Sequence, residues 1–154
     1  MFLWRIAAVT ADFDANDLDG QGAEKNGGRW NEKGTPLVYT SIAASTAMLE
    51  VIAHINAPAM NRYLIRIEVP DDLWHGRIQM LKPPLGWDAV PDSIVSRKVG
   101  QQFVANAQHP LLVVPSVIVP EDHNVLINPR HPDAGRIEVD LDGSRKLSFD
   151  LRLI

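Results

Sequence analysis

Between Lys33 and Arg62 the only formally charged side chain is Glu50, set in an apolar run with helical spacing. A lone carboxylate in a segment built for burial is costly unless it has a partner or a task. Any fold of this chain must therefore place that helix where Glu50 reaches a polar environment. Just upstream lies Asn26-Gly27-Gly28-Arg29-Trp30-Asn31, with Gly34 beyond it. Paired glycines let a backbone approach a ligand closely and adopt conformations closed to other residues. A guanidinium carried on such a turn can grip a phosphate bidentately. The two features point to a site that binds an anion and handles a developing positive charge.

The pattern along the chain predicts an α+β fold, a compact mixed sheet core with flanking helices. Phe2 to Ala7 reads as an opening strand, and the acidic stretch from Asp12 to Gly28 as a long surface loop holding at most a helical turn. Leu37-Val38-Tyr39 is a short strand after Pro36, and Thr40 or Ser41 is suited to cap a helix beginning near Ile42. Ala44, Ala47, Met48, Val51 and Ile55 would form that helix's core stripe, with Glu50 on its flank beside Thr46 and His54. Arg62 to Val69 alternates, with Tyr63, Ile65, Ile67 and Val69 facing one way. After a proline-rich connection, Asp92 or Ser93 would cap a second helix running to about Ala107. Leu111 to Val119 reads as a strand interrupted at Pro115, and Val125–Ile127, Arg136–Leu141 and Lys146–Leu153 as further strands.

With 154 residues, 45% hydrophobic and 22% charged, the chain has enough apolar material for one domain over 1–154. A net charge of −4 argues against affinity built on neutralising many nucleic-acid phosphates. The absence of cysteine excludes disulfides, thiolate metal sites and a cysteine nucleophile. No apolar run approaches the length of a spanning helix, so a cytoplasmic protein is expected.

Each candidate has an ordinary reading beside its functional one. Arg29 in a turn commonly pairs with a local acid such as Glu24 or Glu32. Tyr39 is either a core aromatic with a satisfied hydroxyl or a flat wall for a ligand ring. Glu50 either pairs with a buried cation, Arg29 being a candidate in space, or stabilises an oxocarbenium-like centre. His54 makes an E-x-x-x-H pair that differs from the H-E-x-x-H metal motif, and the other histidines are scattered, so no metal is assigned. Ser116 lacks a G-x-S-x-G context and is not read as a hydrolase nucleophile. Its hydroxyl is either bonded locally or aimed at a ligand or at the carboxylate. Asn124, Asn128, Pro129 and His131 read mainly as turn punctuation.

Five words in order complete the pattern. They are Gly27-Gly28-Arg29-Trp30-Asn31 with Gly34; Val38-Tyr39-Thr40-Ser41; Leu49-Glu50 with His54; Val114-Pro115-Ser116-Val117-Ile118-Val119-Pro120; and Ile127-Asn128-Pro129 with His131. Over nearly its whole length the chain resembles the RES domain family, toxins of bacterial toxin-antitoxin pairs. The resemblance implies a fold similar to the ADP-ribosyltransferases, with NAD held as substrate in a cleft and its nicotinamide–ribose bond broken. It implies Arg29, Tyr39, Glu50 and Ser116 as site residues. Arg29 would grip the pyrophosphate, Tyr39 pack against the nicotinamide side and Glu50 favour the cationic ribosyl transition state. Ser116 would bond the ligand or orient Glu50. The acceptor can be water, phosphate or a protein side chain, giving an NAD-depleting hydrolase or phosphorylase, or else a mono-ADP-ribosyltransferase. The resemblance also implies an Xre-type helix-turn-helix antitoxin that covers the cleft, with no direct nucleic-acid or membrane contact. Two other classes are open: a ribonuclease toxin, which would need a basic groove, and a non-catalytic module in which Arg29 and Glu50 form a structural pair.

Overall fold

The computed structural model describes residues 1–54, 61–150 and 152. In chain order the strands are β1 (Phe2–Ala8), β2 (Val38–Ser41), β3 (Arg62–Glu68), β4 (Ile78–Gln79), β5 (Leu111–Pro115), β6 (His123–Ile127) and β7 (Glu138–Lys146). The helices are α1 (Gln21–Asn26), α2 (Ala44–Ile52), α3 (Asp71–His75) and α4 (Ile94–Asn106), with a 3-10 turn at Pro132–Arg136. The strands form one seven-stranded sheet in the order β4-β5-β6-β2-β1-β3-β7. All neighbours are antiparallel except β4 and β5. This is the mixed α+β architecture that the pattern predicts.

Alternation in the central strands explains the layers. Leu111 and Val113 join Leu3, Val38, Ile65, Ile67, Val125 and Ile127 in one cluster, whereas Leu112, Val114 and Leu126 meet Trp30, Leu37, Phe103 and Val104 in another. β5 is thus buried on both faces, which is why its sequence is an unbroken apolar run. Burial of each such Leu or Ile contributes about 1.5–3 kcal/mol before the cost of ordering it. On β3, Ile65 and Ile67 face the first cluster as the alternation requires, and Tyr63 packs against it from the strand's start.

The pairing of β1 matters most for the site. β1 runs in register with β3 from Phe2↔Glu68 to Ala8↔Arg62, but it pairs with β2 only at Trp4↔Ser41. β2 is held instead by β6, from Val38↔Ile127 to Ser41↔Asn124. The sheet therefore parts between β1 and β2, and α2 packs over both strands at that point.

Several expected boundaries differ. Thr40 and Ser41 do not cap α2, whose N-cap is Ala43 without a side-chain bond. Their hydroxyls are already committed across the sheet, Thr40 to the Val125 carbonyl and Ser41 to Asn124 Oδ1. The buried α2 residues are Thr46 and Ala47, with Met48 half-buried; Ile55 of the expected stripe lies outside the described residues. β5 ends at Pro115, which has no N–H to continue a ladder. The expected strand Arg136–Leu141 is β7, which runs on to Lys146 with a bulge opposite Leu64 and Arg66, whereas residues 147–150 of the expected strand Lys146–Leu153 are not strand. Within the second expected span, Leu151 and Leu153 lie outside the described residues. Ser93 does hold the N-cap position of α4, but its hydroxyl donates to the Gly86 carbonyl.

Candidate active site

The glycine-arginine word folds into a tight turn. Gly27, at φ 74°, ends α1 in a conformation that L side chains rarely adopt. Gly28 and Asn31 then exchange backbone bonds, N–H of Gly28 to the Asn31 carbonyl at 3.0 Å and the reverse at 3.3 Å, leaving Arg29 and Trp30 at the tip. A Cβ on Gly28 would lie 2.7 Å from the Tyr39 hydroxyl, so the second glycine is required by close approach. That hydroxyl donates to Asn31 Oδ1 at 2.7 Å and accepts the Trp30 N–H at 2.9 Å. Asn31 is fully buried, and its Nδ2 donates to the carbonyls of Ala23, Glu32 and Thr35. Burial pushes the Tyr39 phenol well above its ordinary pKa, so it remains a neutral donor.

Helix α4 holds the turn from behind. Gly100 packs so closely that a Cβ there would stand 1.6 Å from the Trp30 carbonyl oxygen. Trp30 stacks on Trp87, with ring centroids 5.9 Å apart and planes 22° from parallel. The segment carrying Trp87 in turn fixes the arginine: Arg29 Nη1 donates to the carbonyls of Trp87 and Ala89, both at 2.9 Å. Its Nη2 and Nε make no hydrogen bond among the described residues. Neither Glu24 nor Glu32, the local partners open in the sequence, pairs with Arg29 among the described residues; Glu24 faces Arg130 instead.

Glu50 is held differently. Its Oε1 accepts from Ser116 Oγ at 2.8 Å and from Asn124 Nδ2 at 2.6 Å. Ser116 Oγ accepts the backbone N–H groups of Ile118 and Val119, so its one proton is left for the carboxylate. Asn124 is itself fixed, its Oδ1 accepting from Ser41 Oγ at 2.6 Å. No salt bridge to Glu50 occurs among the described residues, including from Arg29. Both donors are neutral, and Oε2 has no partner there. His54 Nδ1 is 2.7 Å from the Glu50 carbonyl, a contact with its own helix. Among the described residues no three His, Cys, Asp or Glu side chains gather as a metal site.

Where β1 and β2 part, a cleft opens in two lobes. The first encloses about 540 Å³ and is walled by β1, the loop that follows it and β2, with Arg5, Asp17 and Asp19 on its sides. The second encloses about 520 Å³ and runs along the Gly27–Trp30 turn to His54, Asp92 and Val117. Both sizes fall within the roughly 300–1,000 Å³ of small-molecule sites. Tyr39, Glu50, Val51, Arg62 and Asn124 line both lobes, together with Gly22, Ala23 and Asn26 of α1, so they mark a common waist.

Three of the four residues singled out in the sequence thus share one cleft. Arg29 lines the second lobe, Tyr39 and Glu50 line both, and Ser116 is fully buried behind Glu50, off the cavity wall. Asn124, read as punctuation, is a strand residue that binds Glu50 and faces the cavity. Arg62 was visible only as the first residue of an alternating strand. Nothing local marks either one, because the contacts join segments distant in sequence.

Over 156 aligned residues the chain is 44% identical to a Sphingobium sp. (strain YBL2) protein called Prs ADP-ribosylating toxin, covering 98% of this chain and 95% of that one. It is 37% identical to Toxin Res of Pseudomonas putida, covering 92% and 94%. The fold is similar to a chain in the crystal structure of the M. tuberculosis MbcT-MbcA toxin-antitoxin complex, with a TM-score of 0.71 at 19% identity, over 96% of this chain and 84% of that one. Residues 2–152 match the RES domain, and the chain belongs to the RES domain family.

Proposed function

We propose that this protein is the toxin of a toxin-antitoxin pair that binds NAD in the two-lobed cleft and cleaves its nicotinamide–ribose bond. One observation carries the reading: Glu50 faces the cleft waist, oriented by two neutral donors and without a countercharge among the described residues. A carboxylate so placed keeps its negative charge available for the oxocarbenium-like ribosyl group that forms as the C–N bond breaks. Nicotinamide leaves as a neutral base from a cationic ring, so no general acid is needed at the leaving group. Arg29, with Nη1 tied to two carbonyls, presents the rest of its guanidinium to the pyrophosphate. Tyr39 supplies an aromatic wall toward the nicotinamide side, and Ser116 serves as the positioning residue for Glu50.

The ADP-ribosyl group then passes to water or phosphate, which depletes NAD. A second reading, mono-ADP-ribosylation of a protein, is favoured by the name of the Sphingobium relative. The named complex of the structural neighbour supports an antitoxin partner, taken here as an Xre-type protein covering the cleft. Leu81, Leu85 and Val90 are exposed on the segment that holds Arg29 and offer apolar surface for such a partner.

Incubation with NAD tests the reading by following nicotinamide and the fate of ADP-ribose. Free ADP-ribose means hydrolysis, the 1″-phosphate means phosphorolysis, and labelled protein in a lysate means transfer. Glu50→Gln should lower the rate about 10³-fold while circular dichroism stays unchanged. If the wild type leaves NAD intact and cleaves RNA, the proposal is lost.

A further inference from the structure

The waist of the cleft carries two charged side chains, and only one has been given a task. Arg62 lines both lobes, and among the described residues it is the only cation that does. It forms no salt bridge among the described residues, and its buried Nε has no hydrogen-bond partner there. Burial lowers its pKa with no carboxylate acting against that shift. A buried donor left unpaired is rare in a folded protein and calls for an explanation.

The backbone beneath it is fixed from two sides. Arg62 is paired with Ala8 at the end of the β1–β3 ladder, and its carbonyl accepts the Leu147 N–H at 2.8 Å. The side chain is therefore projected from a rigid strand start into the cavity, a preorganised placement.

Charge and shape then identify what it meets. A dinucleotide laid across two lobes puts its diphosphate at their junction, with one nucleoside in each lobe. Among the residues lining both lobes, the charged ones are Glu50, which repels phosphate, and Arg62. The first lobe adds Asp14, Asp17 and Asp19, and also Arg5, whose Nη1 already donates to the Asp17 carbonyl. A diphosphate at the waist needs a guanidinium on the wall there; Arg29 lines only the second lobe and Arg5 only the first.

We propose that Arg62 is a second anion-binding residue of the cleft, gripping the diphosphate at the waist while Arg29 approaches it from the second lobe. This rests on the NAD reading above, so its test includes a probe independent of that reading. The full-length wild type, Arg62→Ala and Arg62→Lys are titrated calorimetrically with ADP-ribose, inorganic pyrophosphate and adenosine, with thermal unfolding as a control for folding. Arg62→Ala should weaken ADP-ribose and pyrophosphate about tenfold or more, and Arg62→Lys less, because charge is kept but the bidentate fork is lost. Adenosine affinity should stay the same. With NAD, KM should rise while kcat changes by less than about twofold, the signature of lost uniform binding. The proposal is overturned if Arg62→Ala binds ADP-ribose and pyrophosphate as the wild type does, or if it loses adenosine equally. Pyrophosphate binding that depends on Arg62, in a wild type that neither binds ADP-ribose nor releases nicotinamide, would remove the NAD reading and leave Arg62 as the anion site.

Discussion

Arg62 and Arg66 leave the same strand, β3, yet meet opposite fates. Arg66 sits beneath the β7 bulge, where its Nε donates to Asp140 Oδ2 at 2.7 Å and its guanidinium lies 4.5 Å from the Phe2 ring centroid. Asp140 Oδ1 accepts the Gly143 N–H, so that edge of the sheet is a closed network. Arg62 lines the cleft with no ion pair among the described residues, as does a Glu50 held by Ser116 and Asn124. At the β7 edge, charge is matched to charge and nothing is left for a ligand. In the cleft, a carboxylate and a guanidinium line the same waist, each free of a countercharge among the described residues. A network that serves stability neutralises its charges; one that serves a ligand orients them with neutral groups and leaves the charge available.

The sharpest way to break this contrast is Ser116→Ala. It removes one of the two donors on Glu50, and a misplaced carboxylate should lower kcat about 100-fold, ~2.7 kcal/mol of activation, with KM little changed. Ser116→Thr keeps the hydroxyl and should recover part of the rate. A kcat equal to the wild type in Ser116→Ala would mean that Glu50 needs no orienting. Tyr39→Phe tests the boundary between the two kinds of network, since its hydroxyl joins the Trp30 N–H to Asn31. Leaving those groups unpaired should cost about 1–2 kcal/mol in denaturant unfolding. Burial raises the folded pKa of Tyr39, so its neutral form contributes stability that is complete below the unfolded value of about 10 and is lost as pH rises through the higher folded value. The alkaline limb of the stability profile should therefore flatten in Tyr39→Phe.

Asp140→Asn should have the smallest effect. The hydrogen bond from Arg66 holds the Asp140 carboxyl below the usual carboxylate range. Its contribution is present above the unfolded pKa of about 3.9 and disappears as pH falls through the lower folded value. The variant should lose that acid-side dependence and unfold at a slightly lower temperature near neutral pH. NAD cleavage should stay within about twofold of the wild type. A large loss of activity would mean that the two ends of β3 are coupled.

How far the site was legible depended on whether its signal was local. Glu50 stood out because a charge inside an apolar helix is conspicuous against its neighbours. Arg29 stood out because the glycines beside it are themselves the structural requirement, Gly27 for its φ and Gly28 for the approach of Tyr39. Thr40 and Ser41 misled because a hydroxyl before a helix has the same appearance whether it caps the helix or bonds across a sheet. Asn124 and Arg62 carried no local signal at all. One reads as a turn residue and the other as a strand's first charge until β6 lies beside β2 and β3 beside β1.

The sequence alone determined the α+β class, an apolar strand from Leu111 broken at Pro115, and an arginine turn and an isolated carboxylate as candidates, because each is written in periodicity or composition within a few residues. Only the tertiary structure decided that Glu50 would be oriented by Ser116 and Asn124, that Arg29 would be held by the carbonyls of Trp87 and Ala89, and that Arg62 would line the waist of the cleft. Those outcomes follow from where β1 separates from β2, and strand order is set by burying all the faces of the sheet together.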